Sequence, residues 1–265
     1  MHARRAARAR RRDARVKAAP IRLVPLHGIP AVRPGDDLAA LLRAAARSSD
    51  ARLVDGVLVV CQKIVSKAEG RIVRLADVEP SAQARRVAAE DGKDPHHVEI
   101  VMRETVRVVR HTHGVWIAET RHGFVCANAG VDLSNAPGEG YAVLLPEDPD
   151  ASARRLRDAL LGAGDGPLGV IISDTFGRPW REGLVDVAIG CAGIAPLSDW
   201  RGRTDLVGRT LEVTNMAVVD QLAAAAGLLM GKDAGVPAVW IEGIAVEGDG
   251  DIHALLRDPR QDLFR

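Results

Sequence analysis

The sequence of 265 residues is poor in aromatic side chains, which make up only 3% of it. Since 47% of the residues are hydrophobic, Ala, Val, Leu and Ile must build most of the core. No apolar run approaches the ~20 residues of a membrane span, so no transmembrane helix is expected. Three cysteines, Cys61, Cys126 and Cys191, lie far apart and form no Cys-x-x-Cys pair. This usage predicts buried, reduced thiols in a cytoplasmic protein.

Common catalytic fingerprints are also missing. Without a Gly-x-Gly-x-x-Gly or a Walker A loop, the usual nucleotide-binding motifs do not apply. Without a Gly-x-Ser-x-Gly elbow or a Cys–His pair, the sequence argues against a hydrolase with a covalent nucleophile. His96 and His97 fall on different faces of a predicted helix, and His111 and His113 lack a third partner. We therefore predict no histidine-based metal site.

Charge is balanced in total but unevenly distributed. The net charge is +1, yet residues 1–17 hold eight Lys and Arg and one acid, which leaves 28 basic and 34 acidic residues elsewhere. A basic tail can bind nucleic acid or anionic lipid, which keeps a non-catalytic nucleotide- or RNA-binding protein open as an alternative. Its composition favours a disordered extension over residues 1–20, and nucleic acid is not expected as a partner. No apolar stretch follows the arginines, which argues against a secretory signal.

Apolar runs and helical spacings are mixed without a strict βαβ rhythm, which predicts an α+β fold of mixed sheets with packed helices. Strands are predicted at 21–26, 57–61, 115–118, 124–127, 142–145, 169–172, 186–192 and 238–241, with an extended segment at 211–214. Helices are predicted at 38–45, 81–90, 96–106, 150–161, 218–229 and 251–263. Residues 21–246 are assigned to one domain, followed by a tail over 247–265.

Polar side chains follow several of these strands, where ligand sites cluster in open sheets. The loop expected after residue 61 carries Gln62, Lys63 and Lys67 and can hold a phosphate, although taken alone the pattern favours a solvated surface loop. Asp132 and Asn135 follow the strand at 124–127. Their oxygens suit a hard cation, and the same residues also suit an Asx turn.

The stretch VIISDTFGRPWREG, residues 170–183, places an acid and a hydroxyl at the end of a buried strand, and Gly177 and Pro179 after them predict a turn. Asp174 and Thr175 are the ligand types that Mg²⁺ takes when it also binds phosphate oxygens. Arg178 and Arg181 can hold a phosphate or a carboxylate. The alternative is a turn capped by Asp174, with Trp180 packed on the stems of surface arginines.

The segment MGKDAGV, residues 230–236, follows an Ala-rich helix. Gly231 there suits the residue just past the helix end, or a loop that wraps phosphates with Lys232. Taken together, these segments predict a soluble enzyme that binds a phosphorylated ligand through a metal ion and several basic loops.

Long blocks of the chain resemble one known family, the coenzyme F420-0:γ-glutamyl ligases. They include PLHGIPAVRPGDDLAALL, DGVLVVCQKIVSKAEGRIVRL, IAETRHGFVCANAGVDLSN, GVIISDTFGRPWREGLVDVAIGCAG and LAAAAGLLMGKDAGVPAVWIEG, and they run in family order from about residue 21 to 243. The resemblance implies a two-part α+β fold, a homodimer, and a GTP-dependent ligase that adds L-glutamate to F420-0. It implies an acyl-phosphate intermediate, release of GDP and phosphate, and further γ-linked glutamates. Mg²⁺ or Mn²⁺ is implied, with K⁺ as a further cation. A related ligase with another carboxylate acceptor or amino acid remains open.

The positions of this chain that match the family's motifs imply the roles of individual residues. The resemblance implies metal ligation by Asp132, Asp174 and Thr175, with the two aspartates as the catalytic residues. It implies nucleotide contacts from Ile29, Pro30, Ala31, Val32, Gln62, Lys63, Lys67, Asn135, Met230, Gly231, Lys232, Asp233, Ala234, Gly235 and Val236. Gln62 and Lys63 replace a Ser-Thr pair of some members. Lys232 replaces an acidic metal ligand, so that ligand must be lost or supplied elsewhere, and a phosphate contact is expected of Lys232.

Overall fold

A computed structural model of the protein describes residues 20–162 and 166–262. The basic segment 1–17, and with it nearly all of the extension predicted over 1–20, lies outside the described residues. The strands are β1 (Arg22–Pro25), β2 (Gly56–Cys61), β3 (Ile72–Arg74), β4 (Thr105–Thr112), β5 (Val115–Thr120), β6 (Val125–Ala127), β7 (Tyr141–Val143), β8 (Leu168–Arg178), β9 (Arg181–Ala192), β10 (Leu197–Asp199), β11 (Asn215–Ala217) and β12 (Ala238–Glu242). The α-helices are α1 (Leu38–Ser48), α2 (Gln62–Ala68), α3 (Ala82–Asp91), α4 (Pro95–Glu104), α5 (Pro149–Leu160) and α6 (Val218–Gly227). Short 3₁₀ turns are Leu75–Asp77, Asn128–Gly130, Ile252–Leu255 and Pro259–Gln261.

A five-stranded sheet in the order β1-β12-β2-β8-β9 carries the main core. Only β2 and β8 run parallel in it, and the other neighbours are antiparallel. The apolar runs of β2 and of the first half of β8 are buried, as expected of strands covered on both faces. Helices α5 and α6 pack on β9, where Gly190 leaves no room for a Cβ beside the backbone of Pro149. The mixed sheet with packed helices confirms the predicted α+β class.

A second, smaller core lies beside the three-stranded antiparallel sheet β4-β5-β6. Ile100 and Val101 of α4 pack there with Trp116 of β5 and with Val131 and Leu144. Strands β3 and β7 form a separate antiparallel pair. This arrangement puts the chain that leaves β6 next to the chain that leaves β7, and a bridge joins Asp132 to Val143. It therefore fixes the position of residues 131–135, which we call the Asp132 segment.

Helix ends follow the local chemistry of the chain. The Asp37 side chain accepts from the Ala40 backbone N–H at the start of α1, and Ser81 does the same for Ala84 at the start of α3. Asp148 caps α5 through Ala151. None of the helices in residues 20–162 and 166–262 combines the length and the apolarity that a bilayer crossing requires.

Several predicted elements are wrong. The loop expected after β2 is helix α2, because seven residues are too few to show a helical repeat. The helix predicted to reach residue 106 ends at Glu104, and the β-branched run after it forms β4. The extended segment predicted at 211–214 holds a bend at residues 212 and 213 and no strand, and β11 begins at Asn215. The predicted C-terminal helix is replaced by two 3₁₀ turns.

The stretch that follows the buried part of β8 also differs from the prediction. The strand was expected to end at Asp174 and turn through Gly177, but β8 continues to Arg178 and pairs with β9 from Arg181 onward. Residues 175–186 thus form a two-stranded ribbon that projects beyond the main sheet, and we call it the β8–β9 ribbon. Its outer half is largely exposed. Cross-strand hydrogen bonds hold it extended, which no local turn signal revealed.

Candidate active site

A cleft of about 480 Å³ opens at the end of the main sheet, where β2 ends beside Ser173 of β8. Helix α2 leaves the end of β2, the β8–β9 ribbon leaves β8, and the Asp132 segment closes a third side. The cleft is lined by most residues expected at the site: Ile29, Pro30, Ala31, Val32, Lys63, Lys67, Asp132, Asn135, Asp174, Thr175, Met230, Gly231, Lys232, Gly235 and Val236. Gln62, Asp233 and Ala234 are not in its lining.

Gln62 and Lys63 occupy opposite sides of the first turn of α2. Gln62 is 2% exposed and turns inward, where its amide nitrogen donates to the Ser66 hydroxyl at 2.9 Å and to the Leu144 carbonyl at 3.0 Å. Lys63 and Lys67 are four residues apart, so both lie on the face toward the cleft. The geometry therefore gives Gln62 a role in joining α2 to the chain after β7.

Lys63 and Lys67 form a basic wall of the cleft, and nearby acidic groups neutralise only part of its positive charge. The Lys63 ammonium lies 2.7 Å from the Asp132 carboxylate and donates to the Ser134 hydroxyl at 2.7 Å. The Lys67 ammonium donates to the Asn135 backbone carbonyl at 2.6 Å. Burial lowers the pKa of Lys67, and the nearby positive charge of Lys63 lowers it further. Two cations held this close favour an anion between or beside them.

Asp132 is held by a turn that also leaves it facing the cleft. One carboxylate oxygen accepts from the Ser134 backbone N–H at 2.6 Å, which is the Asx turn anticipated from the sequence. The other oxygen takes the Lys63 ammonium. Burial acts to raise the pKa of Asp132, but Lys63 and the Ser134 N–H lower it more, so the carboxylate is charged. Asp132 can thus form the Asx turn and still present its carboxylate to a ligand in the cleft.

Asp174 is the most perturbed carboxyl group of the cleft. Burial raises its pKa to about 7, and the charges of Asp132 and Asp186 act in the same direction. The Thr175 backbone N–H and the Lys63 ammonium oppose that shift. A carboxylate with this surplus of negative charge around it is stabilised by an additional cation.

Asp186 is a cleft residue that the sequence did not reveal. It lies directly across the ribbon from Thr175, whose hydroxyl donates to it at 3.0 Å. Its second oxygen fits against Gly227 of α6, where a Cβ would lie only 2.0 Å away. Burial raises the pKa of Asp186, while the Thr175 hydroxyl and the charge of Lys232 lower it. Counting back from the turn would place Leu184 opposite Thr175, and only the bulge between Phe176 and Arg178 shifts the register to Asp186.

The segment 230–236 closes the cleft beside Asn135. The Asn135 side-chain amide donates to the Lys232 carbonyl at 3.3 Å, which ties this segment to the Asp132 side of the site. Helix α6 ends at Gly227 with Leu228 as its C-cap, so Gly231 is not the residue just past the helix. Its alternative role, a glycine in a loop around a ligand, remains. Lys232 is exposed and near enough to Asp186 to influence it.

The oxygen donors of the cleft suit a hard divalent cation that is shared with a ligand. Asp132, Asp174, Asp186 and the Thr175 hydroxyl all face it. Nevertheless, among residues 20–162 and 166–262 no three His, Cys, Asp or Glu side chains come close enough together to hold a metal ion by themselves. Mg²⁺ commonly takes one or two carboxylates and completes its shell with water and substrate phosphates. The donor set fits a cation of that kind.

The two thiols in the lining are poor nucleophiles. Burial raises the pKa of Cys61 to about 11 and that of Cys126 to about 12, so both stay protonated near neutral pH. This agrees with the lack of a nucleophile motif in the sequence. The cleft instead offers positioned charges, which suit transfer of a phosphoryl group.

Comparison with known proteins identifies the family over most of the chain. The family described as F420-0:gamma-glutamyl ligase matches residues 28–243. A protein of Methanothermobacter thermautotrophicus named coenzyme F420:L-glutamate ligase is 48% identical over 92% of this chain and 99% of its own. Its namesake from Methanopyrus kandleri is 48% identical over 88% of this chain and 93% of its own. The one from Archaeoglobus fulgidus is 43% identical over 92% and 96%. The chain therefore belongs to the F420-0:gamma-glutamyl ligase family and is a ligase.

Proposed function

We propose that this enzyme joins L-glutamate to coenzyme F420-0 at the expense of GTP, and then adds further glutamates through γ-linked amides. The observation that carries the proposal is the division of the cleft into two charged walls. Lys63 and Lys67 form one wall and Asp174 and Asp186 the other, with Asp132 paired to the lysine side. A triphosphate with bound divalent cations matches both walls at once, since phosphate oxygens take the lysines and the cations take the carboxylates.

The nucleotide is proposed to lie along the apolar and glycine-bearing edges of this cleft. Ile29 and Val32 supply apolar contact, and Asn135 with the segment 230–236 supplies polar groups. In this proposal Lys67 exchanges its carbonyl partner at Asn135 for a phosphate oxygen, which gives a charge-assisted hydrogen bond. Lys232, exposed beside Asp186, is proposed to contact a phosphate as well.

The proposed chemistry needs positioning more than a protein nucleophile. The terminal carboxylate oxygen of F420-0 attacks the γ-phosphorus of GTP, the bond to the β-phosphate oxygen breaks, and GDP leaves. The amine of glutamate then attacks the acyl carbon of the resulting acyl phosphate, inorganic phosphate leaves, and the nitrogen loses a proton as the amide forms. Bound Mg²⁺ or Mn²⁺ would neutralise charge on the phosphates. Asp132, Asp174 and Thr175 would hold it, and Lys63 would orient Asp132.

Mass spectrometry tests the proposal directly. The full chain is incubated with F420-0, GTP, L-glutamate and Mg²⁺ or Mn²⁺, and products heavier by one or more glutamate residues are expected together with GDP. ATP replaces GTP in a parallel reaction, and Na⁺ replaces K⁺ in another to test the monovalent cation. Failure to form any glutamylated product with either nucleotide would refute the proposal. Asp174→Asn, which keeps the shape of the side chain, serves as the inactive control.

A related ligase with another carboxylate acceptor or another amino acid is the second candidate. The same charged walls would serve it, since they address the nucleotide and not the acceptor. Supplying F420-0 together with other carboxylates, and glutamate together with other amino acids, in one reaction separates the two. A dominant product that lacks F420-0 or glutamate would favour this second candidate.

We also propose that the enzyme works as a homodimer. Large apolar side chains are exposed between β10 and β11, where Leu206, Val207 and Val213 are 106%, 79% and 88% exposed. Exposed apolar groups on this scale are typical of surfaces that meet another chain. Light scattering of the purified protein should give twice the 28.3 kDa of one chain. A monomer at working concentrations would contradict it.

A further inference from the structure

The β8–β9 ribbon forms one wall of the cleft and leads away from it. Thr175, Phe176 and Gly177 on one strand, and Leu184 on the other, line the cleft. Beyond them the ribbon closes in the two-residue connection Pro179-Trp180. Arg178 lies four residues beyond Asp174 along the extended strand, which corresponds to about 13 Å. Whatever reacts beside Asp174 therefore has a continuous protein surface along which the rest of it can extend.

The tip of this ribbon holds an aromatic ring outward in a strained backbone conformation. Trp180 has a φ of +57°, in the left-handed region, and is 78% exposed. A bulky residue in that region costs energy that glycine or asparagine would avoid. The turn at the ribbon tip leaves most of the ring accessible to a ligand.

Two arginines stand directly opposite each other at the same tip. Arg178 pairs with Arg181 across the ribbon, and like charges in that arrangement repel. The outer Arg178 nitrogen Nη2 donates to the Glu182 carbonyl at 2.8 Å. Its Nε is enclosed, yet it has no hydrogen-bond partner among the described residues. Two arginines paired across the ribbon suit an anion bound between their guanidinium groups.

We propose that Arg178, Trp180 and Arg181 form the subsite for the F420-0 acceptor: the arginines bind its phosphodiester and Trp180 stacks on its deazaflavin ring. This rests on the proposed function. The acceptor carries, in order, a planar ring, a phosphodiester and the carboxylate that reacts. With the carboxylate at the cleft near Asp174, the phosphodiester and ring extend along the ribbon toward its tip. An anion and an aromatic face are the two chemistries that this tip offers.

Substrate-resolved kinetics tests the arginines. Arg178→Gln should raise the KM for F420-0 at least tenfold and leave the KM for GTP unchanged, and Arg178→Lys should recover only part of the loss because lysine lacks the planar fork. Arg181→Gln should act in the same direction. Arg86→Ala, on the exposed side of α3, is the matched control and should behave as wild type. Equal increases in the KM for all three substrates would overturn the subsite.

Trp180→Gly tests the stacking role of the ring, because a binding role and a purely structural role predict opposite changes in Tm. Glycine relieves the strained backbone, so the Tm should stay the same or rise, while affinity for F420-0, measured by calorimetry with GDP present, should fall at least fivefold. A deazaflavin alcohol that lacks the phosphodiester should compete with F420-0. Its inhibition should weaken in Trp180→Gly and stay unchanged in Arg178→Gln. A fall in Tm with unchanged affinity would overturn the stacking role.

Two further outcomes are separable. If wild-type enzyme forms no glutamylated F420-0, the proposed function fails before the subsite is reached. If wild type is active and the ribbon variants retain its KM for F420-0, the subsite alone is wrong. Light scattering of every variant tests a third case. Loss of the dimer together with loss of all activity would mean that the ribbon tip binds a second copy of the chain. That result would also overturn the proposal.

Discussion

Gly227→Ala should damage catalysis while leaving the fold nearly as stable as before. The new Cβ would lie 2.0 Å from a carboxylate oxygen of Asp186, far inside contact distance. That oxygen is the end of a side chain that can rotate, so the strain is relieved by moving Asp186 away from the Thr175 hydroxyl, at present 3.0 Å from it. The lost hydrogen bond costs about 1 kcal/mol. Alanine in place of glycine in a helix returns up to about 1 kcal/mol.

The net change in the free energy of unfolding is therefore expected within about 1 kcal/mol of zero, because the two contributions nearly cancel. Activity should respond far more strongly, since displacing groups in an active site by about 1 Å can cost on the order of 100-fold in rate. We expect kcat to fall by about that factor. Urea denaturation and initial rates of glutamate addition measure the two quantities on the same preparation.

Two variants make the reasoning refutable. Gly138→Ala is the control, because its Cβ would meet only Tyr141 at 4.0 Å, and it should change neither stability nor rate appreciably. The double variant Gly227→Ala with Asp186→Ala should be no slower than Asp186→Ala alone, because both changes remove the same carboxylate from the site. Independent, multiplying losses in the double variant, or wild-type kcat in folded Gly227→Ala, would show that the fit between Asp186 and α6 has no bearing on catalysis.

Three further changes probe other parts of the cleft. Asp174→Asn should abolish turnover and, in metal-free buffer, raise the Tm. The neutral amide escapes the desolvation penalty that raises the pKa of this carboxyl group to about 7. A lower Tm would contradict that cause. Lys63→Gln should raise the KM for GTP at least tenfold in rate assays, because it removes a phosphate partner and the ion-pair partner of Asp132. An unchanged KM for GTP would show that Lys63 does not contact the nucleotide. Gln62→Ala should lower the free energy of unfolding by about 2 kcal/mol in urea titrations and leave the KM for GTP unchanged, because it removes a buried amide that is hydrogen-bonded within the protein. Unchanged stability with a raised KM for GTP would show that Gln62 contacts the nucleotide.

Local sequence determined most of the framework. The runs that build β2 and the start of β8 are apolar enough to be recognised as buried strands, and Asp37, Ser81 and Asp148 mark helix starts by their capping chemistry. The polar groups that follow those strands could be singled out for the same reason, since a strand end is where a ligand meets a sheet. Family membership was also recoverable, because it is carried by long blocks of sequence and not by spacing.

Tertiary structure decided what those groups face. Sequence could not show that α2 turns Gln62 inward and Lys63 toward Asp132, because seven residues contain too little periodicity to orient a helix. Nor could it place Asp186 opposite Thr175, since a single bulge shifts the register of the ribbon.

The acid and hydroxyl in VIISDTFGRPWREG were thus visible in the sequence as candidates for a metal site. Their setting was not. The expected turn at Gly177 is instead an extended ribbon, and its partner strand brings Asp186 to Thr175 and Arg181 to Arg178. Strand pairing of this kind joins residues that are distant in sequence through backbone hydrogen bonds, which local propensity does not encode. The sequence by itself determined the chemistry available to the site, and the pairing of β8 with β9 decided its geometry.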